Sequence, residues 1–321
     1  MDFTKKPIPK SILIFGVAGH IGLPLAEFLT REAPDIQLSL VARNPEKQKI
    51  LQSKFPNARV LAADYEDPSS RAAAVKGIEG VFVISSSGML ETSAMTNLAK
   101  ALKEDGSAVH VIRFLGIFPE FNPHRVPANL GPGSLPVEHR IAERILDESG
   151  LPVTHINSGA SFIDNLWLQI QPVQMHKKFI WAEHRVPFID PRDVAEVAGR
   201  LFLSDNAKHI GAFHTMNNGH DWLTFEEVAG ILSEELGESI AFDGSYESFM
   251  EFWGPRMGKK AERLWNFFKF EQANEEQWAL NNFVERILGR KPTTVRGWIM
   301  EHKNDLVNAD YKVSWAGENE G

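Results

Sequence analysis

Gly16, Gly19 and Gly22 fall within the seven residues G-V-A-G-H-I-G, directly behind the apolar run Ser11 to Phe15 and directly ahead of the helical pattern Ile21 to Arg31. This placement constrains the fold more than any other feature, because glycine lets a strand turn sharply into a helix. In such a turn the first glycine permits the bend, the second lets backbone approach a pyrophosphate, and the third lets the helix pack closely. The N–H groups of the first helical turn, around His20 and Ile21, face an anion. A dinucleotide site is expected at Gly16, Gly19, His20, Ile21 and Gly22; the alternative is a strand-to-helix turn without a ligand.

The first half of the chain alternates short apolar runs with helical patterns, the signature of a parallel sheet with crossover helices. Strands are expected at Ser11 to Phe15, Gln37 to Ala42, Ala58 to Ala62, Gly80 to Ser85, Val109 to Leu115 and Val153 to Asn157. Helices are expected at Ile21 to Arg31, Pro45 to Lys54, Ser69 to Val75, Glu91 to Asp105 and Val137 to Ser149. Gly150 suits a left-handed position after the last helix, and Pro152 prevents its continuation. The expected class is α/β, a doubly wound parallel sheet of the Rossmann, NAD(P)-binding type. Residues 1–157 would form the nucleotide-binding domain, with 186–216 returning to it through a helix, Asp193 to Phe202, and a strand, Gly211 to Met216. Residues 158–185 and 217–321 would form a smaller, mostly helical substrate lobe whose many Trp and Phe residues pack its own core or line a junction between lobes.

Composition narrows the chemistry. The 34 Lys+Arg against 42 Asp+Glu give a net charge of −8, which argues against a nucleic-acid-binding face. With no cysteine, thiolate metal sites and cysteine nucleophiles are excluded. No apolar stretch approaches the roughly 18 residues of a spanning helix, and the expectation is a cytoplasmic protein. No metal is expected, since His176, His184, His209, His214 and His220 show no ligand spacing. G-x-S-x-G and Walker phosphate loops are also absent.

At the end of the second strand an acidic residue would bind the ribose 2′-OH of NAD, but the sequence there is Leu40-Val41-Ala42-Arg43-Asn44-Pro45-Glu46-Lys47. Arg43 stands in the acid's place, and a guanidinium suits a 2′-phosphate or an adenine face. Lys47 adds a second positive charge, so NADP(H) is the expected cofactor.

These motifs resemble the NmrA-like group of atypical short-chain dehydrogenases/reductases, relatives of the isoflavone-reductase-like enzymes. The resemblance runs through the glycine turn, V-A-R-N-P-E-K, A-D-Y-E-D-P at 63–68, G-I-E-G-V-F-V-I-S at 77–85 and V-I-R-F at 111–114. It continues through E-x-x-L-x-x-S-G-L-P-V-T at 143–154, F-I-D-P-R-D-V-A at 188–195 and L-G-R-K-P-T-T at 288–294. It implies an NADP(H)-binding domain, with Asp64 and Tyr65 near the adenine and Ser85 and Ser86 near the ribose or nicotinamide. It also implies a substrate-facing loop after the sixth strand, where Ser158, Ser161 and Asn165 are candidate contacts, with loop capping an equal explanation.

The group's tyrosine–lysine pair is missing. Alignment on Gly150-Leu151-Pro152 puts His139 at the lysine of the isoflavone-reductase-like enzymes and Leu135 four residues earlier at the tyrosine. On the helix from Val137, an apolar arc of Val137, Ile141, Ala142, Ile145 and Leu146 encloses Glu138, with His139 at its edge. Glu138 is thus the candidate acid/base, assisted by His139; the alternative is a helix-start acid paired to a dipole or an arginine. Three functions follow. The leading one is an NADPH-dependent reductase of a small, largely apolar imine, iminium or activated carbonyl. The others are an NADP(H) sensor acting on a protein partner without turnover, and a cofactor-binding enzyme of non-redox acid/base chemistry.

Overall fold

The computed structural model describes residues 4–65, 67–85, 89–117 and 135–308. Its strands are β1 Ser11–Ile14, β2 Gln37–Val41, β3 Arg59–Leu61, β4 Gly80–Val83, β5 His110–Leu115 and β6 Val153–Ser158. They continue with β7 Ser161–Phe162, β8 Lys178–Ile180, β9 Arg185–Ile189, β10 Phe213–Met216, β11 Trp222–Thr224 and β12 Ala241–Asp243. The helices are α1 Gly22–Glu32, α2 Pro45–Lys54, α3 Pro68–Val75, α4 Glu91–Asp105, α5 Leu135–Glu148 and α6 Ile170–His176. After these come α7 Pro191–Leu203, α8 Phe225–Leu236, α9 Tyr246–Met257, α10 Lys259–Gln272, α11 Phe283–Leu288 and α12 Val295–Asn308. Each element of the first half lies within about two residues of its expected position, the usual scatter of element ends.

Seven strands form one sheet in the order β10-β6-β5-β4-β1-β2-β3, and every neighbouring pair is parallel. The strand order reverses between β1 and β4, which opens a crevice at the carboxyl ends of these strands, where such sheets bind ligands. Because side chains alternate along a strand, the sheet serves two cores. Ile12, Ile14, Leu40, Phe82 and Ile112 face α1 and α7. Leu13, Phe15, Val81, Val83 and Val111 face α3, α4 and α5.

Local chemistry sets the ends of the helices. Asn44 caps α2 by accepting from the Glu46 and Lys47 N–H groups, with Pro45 next in line, and Asp190 caps α7 by accepting from Arg192. Both are standard N-terminal solutions. Gly150 has the left-handed φ of 73° expected of it.

The C-terminal lobe packs a third core from Trp181, Phe225, Phe249, Trp253, Phe268 and Trp298. Most of the aromatics are therefore structural. Two small sheets, β11-β9-β7 and β12-β8, brace its helices. β10 joins the main sheet, and α11, late in the chain, buries Val284 and Leu288 in the α1/α7 core. Among the described residues, no helix is long and apolar enough to cross a membrane.

The helix that follows the glycine turn is held by close packing. A Cβ added to Gly199 of α7 would lie 2.3 Å from Cδ1 of Phe28 on α1. Gly199→Val is expected to lower folding stability by about 1–3 kcal/mol, the usual cost of overpacking. Urea unfolding checks this, and an unchanged midpoint would mean that Phe28 swings aside freely.

Candidate active site

The glycine turn runs from the end of β1 into α1. Gly16 has φ +66°, and a Cβ there would sit 2.4 Å from Ile84 Cγ2 on the β4 side; a Cβ on Gly22 would sit 2.3 Å from the Gly16 carbonyl oxygen. A side chain at either position would push β1, β4 and α1 apart. The Gly19 N–H donates to the Gly16 carbonyl and closes the turn. Ile21 is buried at the N-cap of α1, and no side chain caps that helix, so its first N–H groups suit an anion. Gly16, Ala18 and His20 are exposed along the turn. These features fit a bound dinucleotide pyrophosphate.

Arg43 and Asp64, at the ends of β2 and β3, form a long ion pair of 3.6 Å, with both side chains more than a third exposed. Lys47 lies nearby in the first turn of α2. Tyr65 is buried and stacks on Phe15, the ring centroids 4.6 Å apart, and its hydroxyl donates to the Ile84 carbonyl at 3.0 Å. Burial pushes its pKa up, so it remains a neutral hydrogen-bond donor. Asp64 and Tyr65 thus sit in different environments although they are adjacent in sequence.

A buried charge cluster lies at the ends of β4 and β5. Arg113 is 0% exposed and Glu91 is 1% exposed. Arg113 Nη2 donates to Glu91 Oε1 at 2.7 Å and to Ser85 Oγ at 2.8 Å, and Ser85 Oγ donates to Glu91 Oε1. Ser86 lies outside the described residues. The Glu91 N–H donates to Glu138 Oε2 at 2.8 Å. Leu90, the N-cap of α4, offers no side-chain cap, so Glu138 supplies that service from α5.

His139 is as buried as Glu138, both 5% exposed. The inward face of α5 is centred on Glu138, His139, Ala142 and Leu146, whereas Val137, Ile141 and Ile145 are only partly buried. This corrects the placement of His139 at the edge of the buried arc. The helix turns its polar residues inward because partners await them: the Gly116 N–H donates to His139 Nδ1 at 2.8 Å, and Glu91 binds Glu138. Burial first, and then the Arg113 charge, hold the His139 pKa well below the ordinary histidine value. The ring is neutral, and with Nδ1 accepting, its proton is on Nε2.

Asn157, at the end of β6, accepts from the Ile117 N–H at 2.8 Å and donates to the Ile117 carbonyl at 2.7 Å, which fixes the chain just after β5. Ser158 is buried and donates to the Ala160 carbonyl. Ser161 lies in β7, and Asn165 in the short 3-10 helix Ile163–Gln169. Beside them stands an aromatic wall in which Phe270 and Trp278 pack with Val137, Trp222 and Phe267. A Cβ on Gly159 would lie 3.5 Å from the Trp278 ring. Asn217 pins that segment by donating to the Ala279 carbonyl and accepting from the Asn281 N–H.

Arg113, Glu91 and Asn157 were not singled out from the sequence. The available signal was a charged residue within V-I-R-F-L, since a central parallel strand is buried on both faces and a charge in it needs a partner.

Residues 16–199 match the model of the NAD(P)H-binding family, more than half of the chain. The protein belongs to that family. Quinone oxidoreductase 2 of Escherichia coli (strain K12) is 25% identical over 240 residues, covering 74% of this chain and 78% of the relative. A phenylcoumaran benzylic ether reductase of Pinus taeda is 33% identical over 159 residues, covering 46% and 48%. Among solved structures, the E. coli NADPH-dependent quinone oxidoreductase complexed with NADPH is similar, with a TM-score of 0.75 at 21% identity, covering 91% of this chain and 99% of that one. Triphenylmethane reductase of Citrobacter sp. complexed with NADP(H) has a TM-score of 0.75 at 19% identity, with the same coverage. These similarities accord with the NmrA-like resemblance.

Arg43, with Lys47, is expected from the sequence to distinguish the two cofactors. Arg43→Ala is expected to weaken NADPH by about tenfold or more while NADH changes little, since a charge-assisted contact contributes about 1.5–3 kcal/mol. Fluorescence titration of both nucleotides checks this; equal losses would show that Arg43 does not read the 2′-phosphate.

Proposed function

We propose that this protein is an NADPH-dependent reductase of a small, largely apolar organic molecule whose acceptor is an imine, an iminium or an activated carbonyl. The observation that carries this reading is a buried neutral imidazole, His139, held at the end of β5 by the Gly116 N–H, on the same end of α5 as Val137, which packs with Phe270 and Trp278. The named activities of the relatives, a quinone oxidoreductase and a triphenylmethane reductase, support an apolar, delocalised acceptor. Gly16, Gly19, His20, Ile21, Gly22, Arg43, Lys47, Asp64, Tyr65, Ser85 and Ser86 would hold the cofactor, which when bound supplies a hydride.

The chain's own part is orientation and proton handling. His139 offers an Nε2–H donor beside the end of β5, at a level where the chain has no serine to polarise a carbonyl. A neutral imidazole does this without first losing a charge. An iminium needs no such donor, because it is already positive. Glu138 keeps the N-terminus of α4 in place through Glu91, and its carboxylate favours a cationic acceptor. Phe270 and Trp278 present flat apolar surface to the substrate, and Ser158, Ser161 and Asn165 flank it.

A second reading, nucleotide sensing without turnover, is favoured by one observation: Leu135 and His139 stand at the tyrosine and lysine positions of the related enzymes. Loss of NADPH absorbance with a panel of imines, quinones and activated carbonyls separates the two, and no turnover with any of them would favour sensing. With a carbonyl acceptor, His139→Ala is expected to lower kcat by about 10²-fold and leave NADPH affinity unchanged; with an iminium the loss is smaller. Because the His139 pKa is lowered, the neutral form persists from alkaline pH down to well below the ordinary histidine range. The wild-type kcat/KM profile should therefore show no acid limb near pH 6.5 from this residue. Such a limb, abolished in His139→Ala, would contradict the neutral-donor role.

A further inference from the structure

A polar contact crosses from the glycine turn to the C-terminal lobe. His20 Nδ1 meets Asp164 Oδ2, joining residues 144 apart in the chain. Asp164 lies in the first turn of the 3-10 helix Ile163–Gln169, and Ile163, Leu166 and Leu168 of that helix are in the core of the lobe. The contact therefore ties the glycine turn to an element seated in the core of the lobe. His20 is 38% exposed at its side chain.

The second oxygen, Asp164 Oδ1, is buried and has no hydrogen-bond partner among the described residues. Asp164 is partly buried, its side chain 16% exposed, and a buried carboxylate oxygen left unmatched costs stability rather than adding to it. Packing of the lobe thus gives no reason for an acid at this position. The turn gives one, because an imidazole nitrogen that faces a carboxylate carries its proton there, which fixes both the ring's orientation and the backbone that bears it.

We propose that Asp164 is a positioning residue for the dinucleotide: by holding His20 it anchors the pyrophosphate-binding turn to the C-terminal lobe before the nucleotide arrives. Pre-anchoring removes part of the ordering cost that binding otherwise has to overcome. It also couples nucleotide binding at the turn to the position of the segment that carries Ser161 and Asn165. The inference uses only the family's nucleotide binding, so it stands or falls independently of the reductase reading.

A double-mutant cycle on the full chain tests it, read by NADPH fluorescence titration. Asp164→Ala and His20→Ala should each weaken NADPH by about tenfold, about one ordered side chain's worth. The double variant should be no weaker than the worse single one, because both remove the same contact. Binding of 2′-AMP, which has the 2′-phosphate but no pyrophosphate, should be unchanged, and the melting temperature of Asp164→Ala without nucleotide should be unchanged or higher. Additive losses in the cycle, or equal weakening of NADPH and 2′-AMP, would overturn the proposal. Should Asp164→Ala fail to fold, Asp164→Asn has the same shape and retains an acceptor for His20. It should bind NADPH more tightly than His20→Ala, and an Asn variant as weak as His20→Ala would equally overturn it.

Discussion

Arg113 is wholly buried in β5, and the energetic cost of placing a guanidinium there is offset chiefly through Glu91. The offset is incomplete. Arg113 Nε and Nη1 and Glu91 Oε2 have no partner among the described residues, and each buried ion loses several kcal/mol of hydration. A pair of this kind adds little net stability compared with an apolar replacement. It supplies position instead. Glu91 binds β5 through Arg113, the end of β4 through Ser85, and α5 through the bond from its N–H to Glu138. Four elements that meet at the carboxyl edge of the sheet are registered by one carboxylate and one peptide N–H. The same guanidinium contributes to keeping His139 neutral. The geometry at the carboxyl ends of β4 and β5 and the protonation state of His139 thus have a common origin.

The glycine turn solves a separate problem by steric means. Gly22 sits on the Gly16 carbonyl, Gly16 sits against Ile84, and Gly199 sits against Phe28. These three close approaches bring α1 to the end of β1 with its N-terminus toward the crevice. Electrostatics enters only at the surface of the turn, where His20 meets Asp164. At the ends of β2 and β3, Arg43 and Asp64 form an ion pair of 3.6 Å, and both side chains are more than a third exposed. A solvated guanidinium of this sort can exchange a weak carboxylate partner for a phosphate at little cost.

Aromatic residues of the C-terminal lobe divide into two groups with different consequences. Trp181, Phe249, Trp253 and Phe268 interlock at centroid separations of 4.9–6.3 Å and form the centre of the core of the lobe. Phe270 and Trp278 lie outside that core and face Val137 of α5.

The alternation of apolar runs and helical patterns, with Gly16, Gly22 and Gly150 at the turns, was enough to determine the doubly wound sheet. Those features act locally: strand period, helix caps and left-handed turns depend on neighbours in the chain. The placement of Arg43 at the end of β2 was readable for the same reason. The partners of Glu138, His139 and Asp164 were decided only in the tertiary structure. Glu138 binds a peptide N–H 47 residues away, His139 one 23 residues away, and Asp164 a side chain 144 residues away. Helical periodicity placed His139 at the edge of an apolar face because it weighs side chains by hydropathy. Burial on α5 follows instead from where unpaired backbone donors of α4 and β5 come to lie, and those positions exist only once the sheet and its helices have packed.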